Sequence, residues 1–290
     1  ISLGGFYIVW EKKKKKGFTS NNGGQFRMSF LKKFENGSFR IYGKLLDDRT
    51  AAYMPMPMKV TGSNSDPNWG SLSSYNALTG AMQTINLTKD FTMGGDGNIL
   101  SSNISDGMHS VSKTIGGEFN YDFGNGWKLS EKARFSANSG QFIAPFPASV
   151  GSYNDIISSV SGYNSAVYAG TNTAASTSGT YMLMHLFNTK LNNFNNFVND
   201  FNLSKKWDGV KVNAGLYKGI QNVSMSWLWN SYLQEVSDNN ARMIDVKNAL
   251  GQSLSPNGLL AYGVPAWGNC CTRNYDTKYD VTAPYAQIEV

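Results

Sequence analysis

The side chains able to do covalent chemistry are few and scattered. Histidine occurs twice, at His109 and His185, and neither has a partner at the spacing that would turn two imidazoles toward one metal. No G-x-S-x-G turn and no phosphate-cradling glycine loop occurs, and no pair of carboxylates stands above background. An enzyme, a bound metal and a cofactor are therefore not expected. Gly94-Gly95-Asp96-Gly97-Asn98 offers oxygens to calcium but lacks the spaced acidic series and the distant Glu of a calcium loop, and reads as a turn. Cys270 and Cys271 are adjacent, so they either form a vicinal disulfide that tightens one turn or remain two free thiols.

What is left is the chemistry of binding. Trp69, Tyr75, Trp227, Trp229 and Trp267 are suited to stacking on sugar rings or a flat chelate, and Asp47, Asp48 and Arg49 close one strand with polar groups. The Asn-x-Ser/Thr triplets at Asn36, Asn86, Asn103, Asn202 and Asn222 mean nothing for glycosylation if the source is bacterial.

The elements that hold these residues are strands. Ser110, Ser112, Thr114, Gly116, Glu118, Asn120 and Asp122 alternate with Val111, Ile115, Phe119, Tyr121 and Phe123, a period of two. Gly124-Asn125-Gly126 supplies a tight turn, and the alternation resumes with Trp127, Leu129, Ala133, Phe135 and Ala137 against Lys128, Ser130, Lys132, Arg134, Ser136 and Asn138. The same pattern predicts strands over 3–10, over 25–30 returning through Glu35-Asn36-Gly37 to 39–45, over 197–207 returning through Asp208-Gly209 to 210–216, and over 281–290. Between them, residues 49–108, 139–192 and 223–279 are rich in glycine and proline and read as long loops. In an antiparallel meander the short turns then share one rim and the long loops the other. That parity places residues 181–191 inside a loop.

A strand of about a dozen residues with one apolar and one charged face suits a tilted membrane crossing, for which about 9–11 residues suffice. In hydrocarbon such a sheet must close, because unpaired backbone groups are expensive. The expected fold is all-β, an antiparallel up-and-down transmembrane β-barrel with short periplasmic turns and long extracellular loops. Residues 1–290 form part of one such barrel domain, about eight strands truncated at both ends, since the chain opens at Ile1 without a signal and stops in mid-strand. Arg27, Arg40, Lys44, Glu118, Asp122, Lys128, Lys132 and Arg134 face the lumen, and Trp10, Trp127 and Trp207 fit an interfacial girdle.

Composition agrees: 30 glycines and 13% aromatic residues favour β structure, and no apolar run reaches the length of a membrane helix. The net charge of +6 suits an anionic surface, and much of it is the run Lys12 to Lys16, which either meets lipopolysaccharide phosphates or is simply solvated. A nucleic-acid partner is not expected.

Read in order, Gly23-Gly24-Gln25, Phe34-Glu35-Asn36-Gly37, the run Arg40 to Arg49, and Tyr53-Met54-Pro55-Met56-Pro57 resemble the barrel of TonB-dependent outer-membrane receptors. So do Asn195 to Trp207 with Gly209 to Tyr217, Trp229 to Glu235, and Ala283-Pro284-Tyr285-Ala286. The resemblance implies a barrel of about 22 strands around a plug, powered by the TonB energy-coupling complex. It also implies partners in outer-membrane lipid and lipopolysaccharide, an imported small molecule or oligosaccharide, and a surface lipoprotein. No TonB box or plug lies in this sequence. A passive porin or structural barrel subunit is one alternative, and a soluble carbohydrate-binding β-domain is another.

Overall fold

The computed structural model describes residues 1–10, 18–54, 56–238 and 240–290; the run Lys12 to Lys16 and Pro55 lie outside the described residues. In chain order the strands are β1 (Ser2–Trp10), β2 (Asn21–Phe34), β3 (Gly37–Thr50), β4 (Lys59–Ser63), β5 (Asp66–Gly70), β6 (Lys89–Met93), β7 (Ile99–Asn103) and β8 (Met108–Gly124). They continue as β9 (Trp127–Ser152), β10 (Ser165–Tyr168), β11 (Thr180–Asn193), β12 (Asn196–Trp207), β13 (Val210–Glu235), β14 (Ile244–Lys247), β15 (Leu259–Tyr262) and β16 (Arg273–Glu289).

One antiparallel sheet organises the chain. β1, β2, β3, β8 and β9 pair in succession, and β9 then pairs with β12 along its first half and β11 along its second. β13 makes the same double pairing on the other side and carries β16 along its outer edge. β11 and β12 are thus a single descending crossing, interrupted at Phe194-Asn195, where Phe194 N–H donates to Asn138 O (2.9 Å) and Asn195 Oδ1 accepts from Asn138 N–H (2.8 Å). The result is an eight-crossing meander in which every connection joins neighbours.

The tight turns fall where positive φ is available: Gly124, Asn125 and Gly126 have φ of 78°, 48° and 80°, and Gly209 has 72°. These turns and the Glu35-Asn36 turn share one rim, as expected. Two expectations fail. Residues 181–191 are not in a loop but in β11, and the parity survives because β11 prolongs β12. The second and third loops are also far shorter than 139–192 and 223–279: β9 runs on to Ser152, β13 to Glu235, and β16 begins at Arg273. A 26-residue strand is about 85 Å long, far more than one face-and-rim wall requires.

The reason lies in what covers the upper ends. On one face of β9, β11 and β13, Ile143, Met182, Met184, Leu186 and Tyr232 pack against Tyr75, Met82 and Ile104 of the 51–107 excursion. On the other face, Tyr181 and Leu233 pack against Tyr153, Ile157, Tyr168, Ile244 and Val246 of the later excursions. A strand covered on both sides has no solvent face to keep polar, so apolar residues and hydrogen-bonded polar ones such as Asn188 and Asn230 occur on either side and the alternation that marks the lower strands disappears.

The 51–107 excursion carries two hairpins, β4–β5 and β6–β7, and is closed at its base by a bridge between Thr50 and Gly107. Gly107 has φ 53°, and a Cβ there would lie 2.3 Å from Thr50 O and 2.4 Å from Ala52 N. Gly107→Ala is expected to destabilise this closure by about 2 kcal/mol or more, read as a lower denaturant midpoint for the excursion with the lower sheet unaffected.

Candidate functional site

Register decides which side chains share a face. Arg27 lies opposite Lys44, and Lys44, Thr114, Ser136 and Asn196 form one row across β3, β8, β9 and β12. The next rows down contain Arg134 beside Gly116, then Arg40, Glu118, Lys132 and Asp200, then Asp122 and Lys128. All eight residues read from alternation as one charged face therefore do share it.

That face is concave. A cleft of about 780 Å³ is lined together by residues of β1, β2, β3, β8, β9 and β12, as a sheet curled toward this side brings about. Ser112 and Ser136 are buried among their longer neighbours there. Arg40 pairs with Glu118 (3.7 Å) and donates from Nε to Ser29 Oγ (2.9 Å); Lys128 pairs with Asp122 (3.3 Å). Further along, Tyr285 OH donates to Asp200 (2.8 Å) and Lys211 pairs with Glu289 (3.1 Å). These pairs are exposed and add little stability; their effect is to make the wall polar and hydrated.

The opposite face is apolar and open. Phe26, Ile41, Ile115, Phe119, Phe135 and Phe201 are 38–61% exposed. Lys218 is an exception on that face, tied to Asp280 and to Thr282 Oγ1 (2.9 Å). Trp127 and Trp207 flank the short turns with the Lys205 ammonium 5.3 and 5.5 Å from their rings, and Trp10 stands at the other rim.

Above the charged wall, on the same face, the strands gather an aromatic cluster. Phe187 lies 4.5 Å from Trp229, 5.3 Å from Trp227 and 5.0 Å from Phe142, centre to centre. Trp267, on the turn Pro265–Trp267, adds edge contacts to Trp229 (5.6 Å) and His185 (5.1 Å), and the Arg273 guanidinium sits 4.7 Å from the Trp227 ring. His185 Nδ1 bonds with Ser231 Oγ (3.1 Å), and burial pushes the imidazole pKa down, so it is neutral at pH 7.

Three of the five aromatic candidates, Trp227, Trp229 and Trp267, are thus brought together. Trp69 is exposed on the separate β4–β5 hairpin. Tyr75 is withdrawn from any ligand: it is 1% exposed and its hydroxyl meets Met56 Sδ (3.0 Å). Of the strand-end trio, Asp48 stays on the polar face. Asp47 and Arg49 point to the other, where Asp47 meets His109 Nε2 (2.8 Å) across β3 and β8, and Arg49 meets Asp106 (3.0 Å), a tie that anchors the excursion. Phe142, Phe187 and Arg273 fall in segments that read as loops; an apolar run without period is the signal at Phe142 and Phe187, and the polar stretch around Arg273 gives none.

Cys270 and Cys271 are disulfide-bonded beside Trp267. Because the ring closes no chain between them, Cys270→Ser with Cys271→Ser is expected to shift the unfolding free energy by less than about 1 kcal/mol, measurable by denaturant titration with and without reductant.

Comparison with protein-family models, with curated proteins and with solved structures finds no match to this chain.

Proposed function

We propose that this chain is the central part of a TonB-dependent receptor barrel in a Gram-negative outer membrane, importing a scarce, bulky nutrient without changing it chemically. One observation carries the reading: an eight-crossing antiparallel sheet exposes aromatic and aliphatic side chains on its convex face and charges on its concave face, with all short turns at one rim. Water rewards the reverse arrangement, since a convex apolar wall of this extent costs free energy unless lipid or protein covers it.

In this reading the convex side chains contact lipid, and β1 and β16 pair with further strands of the same barrel. The upper halves of β9, β11 and β13, clad on both faces, stand above the membrane as an extracellular body. Its aromatic cluster opens onto the concave side, where an arriving ligand would stack before passing down the hydrated wall. The wall supplies polar contacts of both signs and no group placed for bond making.

Extraction tests this. The chain is expected to be insoluble without detergent and to refold in detergent micelles or vesicles as a β-rich species. A monodisperse protein in plain buffer would sink the proposal and favour a carbohydrate-binding β-domain. Uptake that persists after the inner membrane is de-energised would favour a passive porin.

A further inference from the structure

Beyond the aromatic cluster the concave face changes character. The cross-strand pairs of β11 and β13 run in order: Phe187 with Trp229, His185 with Ser231, then Leu183 with Leu233. Each step is about 7 Å along the strands. Over the leucine pair, the excursions that follow β9 and β13 leave a pocket of about 520 Å³, within the range of about 300–1,000 Å³ usual for small-molecule sites. Ile156 and Val160 come to it from one excursion, Leu254 and Leu260 from the other.

Two polar side chains in the lining are already engaged. The Asp155 carboxylate accepts from Ser152 Oγ (2.6 Å), and Ser159 Oγ donates to Asp155 O (2.9 Å). Water gains little from aliphatic walls, since a held water needs about 2–4 polar partners, whereas every methylene of a hydrocarbon chain gains by leaving water. A sugar or chelate that is polar all round would give up its hydration here without return.

The pocket adjoins the aromatic cluster. Pro265 lines it, and Trp267, at the other end of the same turn, meets Trp229 and His185. Trp267 is 45% exposed and Phe187, Trp227 and Trp229 are partly exposed, so rings stand open to a ligand beside the aliphatic walls.

We propose that the pocket takes the aliphatic chain, and the aromatic cluster the ring, of one molecule, so that the bound ligand is an alkylated or acylated ring compound rather than a wholly polar one. This ligand class rests on the importer reading only for calling the bound molecule cargo; the binding itself does not depend on membrane insertion.

Calorimetric titration tests it on the full chain in phosphatidylcholine vesicles, with butyl, hexyl and octyl β-glucoside below their micellar concentrations and the heat of empty vesicles subtracted. Each methylene is expected to tighten binding about fourfold. Ala261→Phe, which fills the pocket, and Leu254→Gln, which sets an amide in its wall, are each expected to weaken octyl glucoside about tenfold or more and butyl glucoside about twofold or less. Trp229→Ala should weaken all three alike, and octanol, which lacks the ring, should bind about tenfold or more weakly than octyl glucoside. The chain-length series needs no substitution and decides the matter even if a variant misfolds. Affinity indifferent to chain length, octyl binding unchanged in both pocket variants, or octanol binding as tightly as octyl glucoside would each overturn the proposal, the first in favour of a wholly polar ligand and the last in favour of a chain-only site. A chain that inserts into vesicles without the length dependence fails this proposal alone, and one that stays in plain buffer yet shows it fails the importer reading alone.

Discussion

Asp90→Ala is expected to release the 51–107 excursion from the sheet. The Asp90 side chain is 2% exposed and its carboxylate accepts from Asn230 Nδ2 (2.8 Å), Asn188 Nδ2 (3.0 Å) and Tyr232 OH (2.8 Å), which come from β13 and β11. Alanine leaves the Asn188 amide and the Tyr232 hydroxyl without an acceptor, while Asn230 Nδ2 keeps Phe91 O (3.1 Å); at about 1–3 kcal/mol for each orphaned donor, a total of about 3–5 kcal/mol is expected. Hydrogen exchange of amides in residues 75–104 should accelerate by about a hundredfold or more, while exchange in β2, β3 and the lower part of β8 stays slow. An unchanged rate would mean that the apolar packing of Tyr75, Met82 and Ile104 holds the excursion without the carboxylate.

The same group makes docking depend on pH. Burial raises the Asp90 pKa above its ordinary 3.8, outweighing the lowering by its hydrogen-bond donors. The native state therefore keeps a proton that the unfolded chain releases. Its contribution to stability is complete below pH 3.8 and is lost as pH rises through the raised native value. The excursion should open more often at pH 7 than at pH 4, and Asp90→Asn should flatten that difference.

Phe135→Arg is the second large effect. Phe135 stands at mid-height on the convex face, opposite Ile115 and Phe197, and is 46% exposed. If lipid covers it, a buried guanidinium costs about 2–4 kcal/mol, and the urea midpoint in vesicles should fall accordingly. If water covers it, the substitution lies within about 0.5 kcal/mol of neutral. Asn120→Arg, exposed on the concave face, is the matched control and should be neutral in either case. Equal midpoints for the two variants would place Phe135 in water and end the membrane reading.

How much of this is legible in the sequence follows from how strands advertise themselves. Where one face is apolar and the other polar, as in β2, β3, β8 and the lower halves of β9 and β13, alternate residues differ in kind. Strand, face and turn can then be read directly. Gly124-Asn125-Gly126 and Asp208-Gly209 announced their turns because few other residues accept positive φ. The chain's two-sidedness, and the membership of Arg27, Arg40, Lys44, Glu118, Asp122, Lys128, Lys132 and Arg134 in one face, were local properties of the sequence.

Other features depend on contacts between distant segments, and no local pattern records those. Tyr181 to Phe187 and Phe142 to Phe146 are strands buried on both faces, so their period vanished and they passed for loop. Tyr75 looked like a loop aromatic and is core, because β11 and β13 extend far enough to bury it. The direction of curvature and the meeting of Trp227, Trp229 and Trp267 around Phe187 were likewise set by register and coverage. The alternation of the chain determined which side chains share a face; only the packing of strands against excursions decided which stretches of each face are open, and so where anything can bind.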